Sequence, residues 1–143
     1  MKLKKLIHFL IGSIVTLGLF SCDPGCKTII NNKSEKDITL ELQFDRSEIE
    51  SVWNGRPFIP YLEGRLNGGG LLLNFDTISL SSKILLKPGE TFIVDQARGL
   101  HPTYFGIKKI VIFKKDTVAL DNKTAMIKTF KKTKIGRFEL DIN

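Results

Sequence analysis

Alternating apolar and polar residues mark the clearest predicted strand in this chain. Between Asp37 and Phe44, the apolar residues Ile38, Leu40 and Leu42 occupy every second position, and polar residues stand between them. Successive side chains of a β-strand point to opposite faces. The pattern therefore predicts a strand that buries one face and exposes the other.

Further short apolar runs follow at intervals of about 8 to 12 residues, separated by turn-forming residues. One such turn is Lys87-Pro88-Gly89-Glu90, where Pro and Gly stand at the positions typical of a type II turn. The pattern predicts a mainly β fold, a single antiparallel β-sandwich. It resembles small immunoglobulin-like and transthyretin-like domains. The predicted strands are 27–31, 37–44, 71–75, 77–80, 83–86, 91–95, 107–113, 117–120, 124–130 and 137–142.

The stretch after the alternating strand predicts one short helix over residues 46–54. Asp45 suits the N-cap position, Glu48 follows three residues later, and Gly55 can end the helix. Apolar residues recur at helical spacing, and they include Trp53, which we interpret as a lid on the core. Residues 55–70 and 99–106 are predicted to be long loops, with Gly68-Gly69-Gly70 as a flexible bend.

The first residues have the composition of a secretory signal. Lys2, Lys4 and Lys5 precede a largely apolar run over 6–20, without an acidic residue. A spanning helix needs about 20 apolar residues, and this run is shorter. We therefore expect cleavage, with a signal peptide over 1–21, a linker over 22–27 and a β-sandwich domain over 28–143.

The end of this run, Leu19-Phe20-Ser21-Cys22, resembles the lipobox of bacterial lipoproteins. The resemblance implies cleavage before Cys22 and attachment of lipid to its thiol and to the new amino group. Two acyl chains anchor a protein stably to a membrane. The implied location is the bacterial cell envelope, with the outer membrane as the first expectation, although Asp23 resembles an inner-membrane retention signal of enteric-type bacteria.

The two cysteines leave other interpretations open. A local disulfide between Cys22 and Cys26 suits an exported protein, but it excludes a lipid on Cys22. If Cys22 carries lipid, Cys26 is either a free thiol near the membrane surface or paired with another molecule. A zinc site needs about four ligands, and beyond residue 21 the chain offers only His101 besides the cysteines, so no metal site is predicted.

Without the predicted signal, the chain is less basic than the whole sequence. The formal net charge is +7, but the signal holds three of the 22 Lys and Arg, which leaves 19 basic against 15 acidic residues. We interpret the lysines as solvated strand faces and turns that protect sheet edges, with a role against anionic headgroups or glycans as the alternative. No nucleic-acid partner is predicted. The lysines concerned are Lys108, Lys109, Lys114, Lys115, Lys131, Lys132 and Lys134.

The sequence offers weak support for catalysis. His101 stands in a loop, and the chain has no Gly-x-Ser-x-Gly elbow and no phosphate-binding glycine motif. Glu63 and Asp95 lie in or beside the long loops and could form a glycosidase pair. Such pairs arise by chance among 15 acidic residues. We therefore predict no enzyme activity and no cofactor.

Recognition is the remaining predicted role. The two long loops carry aromatic and arginine side chains, which offer large contact areas and planar hydrogen bonding. We expect a binding or scaffolding protein that is an accessory component of an envelope complex, with another envelope protein or a glycan as partner. An inhibitor or immunity protein against a hydrolase is the alternative, and an envelope hydrolase the third. The candidate residues are Arg56, Tyr61, Glu63, Arg65, Arg98, His101 and Tyr104.

Overall fold

The computed structural model describes residues 25–143, so the predicted signal segment and Cys22 lie outside the described residues. This part of the chain forms nine strands and three helices. The strands are β1 (Gly25–Asn32), β2 (Ile38–Phe44), β3 (Leu71–Asp76), β4 (Ser81–Leu86), β5 (Thr91–Arg98), β6 (Ile107–Phe113), β7 (Val118–Leu120), β8 (Lys131–Lys134) and β9 (Arg137–Ile142). The helices are α1 (Arg46–Trp53), α2 (Ile59–Leu66) and α3 (Lys123–Thr129).

Two sheets pack against each other, which confirms the predicted β-sandwich. One sheet has the strand order β5-β1-β9-β8, and the other has the order β3-β4-β2-β6-β7. Neighbouring strands are antiparallel, except that β1 and β9 run parallel. The first and last described strands therefore lie side by side in the four-stranded sheet.

The core follows from the alternation seen in the sequence. On β2 the four apolar residues are buried and the polar residues between them are partly exposed. They pack with Ile30, Phe92 and Val94 of the opposite sheet in one apolar cluster. Ile110, Val111 and Ile112 on β6 are consecutive buried residues, as expected for a strand that lies between two others and is covered on both faces.

β1 begins at Gly25, so residues 25–27 belong to the sheet and not to the predicted linker. Gly25 pairs with Arg98 of β5, and Lys27 pairs with Arg137 of β9. The Cys26 side chain is only 1% exposed. Pairing on both sides holds this segment in the sheet, which the polar sequence around Cys26 did not indicate.

The helices differ in how well the sequence predicted them. α1 forms as predicted, because Asp45 caps it by accepting a hydrogen bond from Glu48 N at 3.2 Å. α2 lies within the predicted 55–70 loop, and Pro60 stands in its first turn, where proline is tolerated. α3 replaces the strand predicted over 124–130. Asn122 caps α3 by accepting from Ala125 N at 2.9 Å, and Met126 points into the core.

Two shorter predictions are also wrong. Residues 77–80 form a turn and not a strand, because the Asp76 carboxylate accepts a hydrogen bond from Ile78 N at 2.8 Å. The Gly68-Gly69-Gly70 run is closely packed and not a flexible bend. A Cβ added at Gly69 would lie 2.2 Å from Thr91 O, and one at Gly70 would lie 2.7 Å from Leu85 O.

Candidate partner-binding surface

The end of α1 and the start of α2 bring aromatic and arginine side chains together. α1 ends at Trp53, Asn54 adopts a left-handed conformation, and the chain turns toward α2. The rings of Trp53 and Tyr61 lie 5.2 Å apart, and Arg56 Cζ lies 6.0 Å from the Trp53 ring. Arg56 Nε also donates to Trp53 O at 3.2 Å. These contacts bring the three side chains together on one surface.

Tyr61 lines two neighbouring depressions of the protein surface. The smaller, of about 310 Å³, is lined by Val52, Trp53, Arg56, Tyr61 and Phe105. We call these five residues the α1–α2 surface. The larger, of about 480 Å³, lies between α2 and β5. Its walls include Pro60, Gly64, Ile93 and Gln96. Shallow apolar sites beside a fixed arginine suit the side chains of a protein partner.

Trp53 and Val52 contribute differently to the α1–α2 surface. Trp53 is partly buried and packs against the core, as expected for a lid, while its remaining area lines the smaller depression. Val52 is 58% exposed. Val52 and Phe105 were not predicted to line a binding surface, because apolar residues at helix ends and in loops give no periodic signal of exposure.

Arg65 is largely buried and positions its neighbours, and its exposed part lines the larger depression. Its side chain is 14% exposed and donates to Phe105 O at 2.6 Å, to Val94 O at 3.1 Å and to Asp95 Oδ1 at 3.3 Å. Its guanidinium also lies over the rings of Phe44 and Tyr61. Arg65 therefore links α2 to β5 and to the 99–106 loop, and its guanidinium packs against the Tyr61 ring.

Tyr104, predicted as a binding residue, is fully buried. Its backbone is left-handed (φ 48°), and its N–H donates to Asp95 Oδ2 at 2.8 Å. Its ring lies 5.8 Å from that of Phe130. Burial raises the pKa of the Tyr104 hydroxyl far above its usual value, so the group stays neutral. Tyr104 anchors the loop to the core and cannot contact a partner at the surface.

Cys26 is likewise interior: its thiol is free within residues 25–143, and its burial leaves no surface through which it could pair with another molecule. Burial raises the pKa of the Cys26 thiol, and the nearby Asp95 carboxylate adds to the increase. A protonated, buried thiol is a poor nucleophile. Cys26 therefore acts as a small core residue.

The remaining candidates lie apart from the α1–α2 surface or on its margin. Arg98 ends β5 opposite Gly25 and is exposed. His101 is exposed, and its ring lies 6.3 Å from that of Phe138. Glu63 is exposed on α2. Of the predicted binding residues, the structure thus joins Arg56 and Tyr61 directly.

The carboxylates considered for glycosidase chemistry have separate environments. Asp95 is 4% exposed, and its oxygens accept from Arg65, Thr103 and Tyr104, so they are fully engaged in holding the loop. Glu63 faces solvent. Between residues 25 and 143, no three His, Cys, Asp or Glu side chains come together in a group that could hold a metal ion.

Comparison with known proteins gives no match to a protein-family model, to a curated protein or to a solved structure. The described helices are all short, and none of them is long and apolar enough to cross a bilayer.

Proposed function

We propose that this chain is a bacterial cell-envelope lipoprotein, anchored through a lipid on Cys22, whose β-sandwich binds another envelope protein. The charged start, the short apolar run and Leu19-Phe20-Ser21-Cys22 support the anchor. The observation that carries the binding role is the fixed group of Trp53, Arg56 and Tyr61.

The chemistry of the α1–α2 surface favours a protein partner. Aromatic and arginine side chains dominate protein interfaces because they combine large contact areas with planar hydrogen bonding. Here the ring of Trp53 is supported by the core, and Arg56 is already aligned on it. The Trp53 ring therefore loses little side-chain entropy on binding.

Pull-down of the lipidated protein from its own membranes tests the binding role. We expect Val52→Asp and Arg56→Ala each to reduce recovery of the partner at least tenfold. The matched control is Ile127→Asp on α3, because Ile127 is 59% exposed and Val52 is 58% exposed. Thermal unfolding of each variant confirms that the fold is intact.

The recovered partner also separates the functional classes. A defined set of envelope proteins supports an accessory subunit, and a single hydrolase at close to equal stoichiometry supports an inhibitor. Equal recovery by Val52→Asp and Ile127→Asp would contradict binding at the α1–α2 surface. The anchor is tested separately, because mass spectrometry should find a lipidated chain that begins at Cys22, and Cys22→Ala should leave the chain without lipid.

A further inference from the structure

One end of the sandwich surrounds the point where the described chain begins. Gly25 pairs with Arg98 at the end of β5, and Lys27 N donates to Gly136 O at 2.8 Å. A Cβ added at Gly136 would lie 2.3 Å from Gly25 O. The segments 98–104 and 131–137 therefore flank Gly25, and we call this region the Gly25 end.

The Gly25 end lies close to the proposed lipid. Only two residues stand between Cys22 and Gly25, and an extended chain spans at most about 3.6 Å per residue. Gly25 is then within about 11 Å of the acylated cysteine. Lipid on Cys22 would hold the Gly25 end at the bilayer surface, although the tether alone does not fix which face of this end touches it.

The two segments that flank Gly25 carry only basic charged residues, and the acidic residue nearest to Gly25 along the chain is Asp23 in the tether. Residues 96–115 and 122–138 contain no Asp or Glu. Arg98, Lys132 and Lys134 are exposed, and none of them forms an ion pair within residues 25–143. The opposite end of the sandwich mixes signs, because Lys36, Lys114 and Lys115 there stand beside Glu35, Asp37 and Asp116 around one cleft.

Apolar side chains project from the same segments. Ile135, in the β8–β9 turn, is 79% exposed, and Leu100, just after β5, is 43% exposed. An apolar tip among basic residues is the pattern of a surface that rests in the headgroup region, because the apolar group enters the interface and the cations contact anionic headgroups.

We infer that the Gly25 end docks onto anionic lipid headgroups, with Arg98, Lys132 and Lys134 facing the bilayer. This inference rests on the proposed lipid anchor. The anchor keeps the domain at the membrane, and the docking fixes its orientation. The α1–α2 surface would then be presented to its partner at a defined height and angle.

The test uses the mature lipidated protein in vesicles. One set contains phosphatidylglycerol and phosphatidylcholine, and the other contains phosphatidylcholine alone. Backbone hydrogen–deuterium exchange over 98–104 and 131–137 should be slower on the anionic vesicles. Added salt should reduce the difference, since ions screen exposed charges. Replacing Arg98, Lys132 and Lys134 together by Glu should abolish it, since each cation removed changes the ratio of docked to undocked protein about fivefold.

The matched control places Glu at Lys36, Lys114 and Lys115 instead. This variant has the same net charge but keeps the Gly25 end intact, so protection on anionic vesicles should persist. Equal exchange on both vesicle types, or protection confined to 33–37 and 113–117, would overturn the inference. Protection in native membranes but not in anionic vesicles would overturn it too, in favour of a protein contact. Mass spectrometry on the same sample distinguishes this failure from absence of the lipid on Cys22.

Discussion

Asp95 is a buried polar residue that links three parts of the structure. It lies on β5 and accepts hydrogen bonds from Arg65 on α2 and from the backbone N–H groups of Thr103 and Tyr104. One carboxylate thus joins a strand, a helix and a loop. Tyr104 is a non-glycine residue in a left-handed conformation, and that conformation costs about 1 kcal/mol or more. The hydrogen bond from its N–H to Asp95 helps to stabilise it.

Replacing Asp95 by Ala should therefore be strongly destabilising. The change leaves the Arg65 guanidinium, whose side chain is 14% exposed, without its counterion, and it leaves the buried N–H of Tyr104 and the partly buried N–H of Thr103 unpaired. We expect a loss of about 3–5 kcal/mol in the free energy of unfolding, measured by chemical denaturation. Glu50→Ala is the control, because its ion pair with Arg46 is exposed and should contribute less than about 1 kcal/mol. Similar losses in both variants would contradict this role for Asp95.

Among the connections between elements, the glycine run after α2 lies in close contact with both sheets. Gly69 approaches Thr91 of β5, and Gly70 approaches Ile84, Leu85 and Leu86 of β4. Gly69 and Gly70 also have positive φ angles of 128° and 67°. Side chains larger than hydrogen cannot fit here, so the close contact between the α2–β3 connection and both sheets depends on these glycines.

Gly69→Ala should lower the free energy of unfolding by about 2–4 kcal/mol, because the Cβ meets the backbone of β5 and the φ angle is unfavourable. Gly64→Ala provides the contrast. Gly64 lies within α2, and a Cβ there meets nothing within 4 Å. Alanine should stabilise the helix by about 0.5–1 kcal/mol. Urea denaturation of both variants measures the difference, and a neutral Gly69→Ala would show that the connection can move away.

The elements also show where sequence patterns are informative. β2 was predictable because one face is buried and the other is solvated, and α1 because its cap residues are explicit. α2 was not, because Pro60 and Gly64 suggest a loop, and the contacts of Leu62 and Leu66 with the core decide the outcome. The candidate site was partly predictable: Arg56 and Tyr61 meet, but the burial of Arg65 and Tyr104 depends on Asp95, which is distant in sequence.

For the molecule as a whole, the edges of the sheets are protected unequally. β8 carries three lysines over Lys131–Lys134, and β5 is covered where Ile93 N donates to Gly68 O at 2.9 Å. β3, among the described strands, pairs only with β4 and exposes Leu71, Leu72 and Leu73. An apolar edge without charge is open to pairing with another chain.

Leu73→Lys should therefore reduce self-association of the purified protein in detergent. Leu73 is 52% exposed, so the free energy of unfolding should change by less than about 0.5 kcal/mol. Sedimentation velocity over a range of concentrations measures the association. Ile127→Lys on α3 tests whether the effect belongs to the strand edge. If both variants reduce association equally, general surface hydrophobicity and not edge pairing is responsible.

The parallel pairing of β1 with β9 sets the order in which the chain can finish folding. β1 is synthesised early, but its neighbour β9 follows much later, because Lys27 pairs with Arg137, 110 residues farther along the chain. Ribosomes add about 5–20 residues per second, so β1 waits several seconds with one side unpaired. The four-stranded sheet, in which β9 lies beside β1, therefore cannot be completed until β9 has been synthesised.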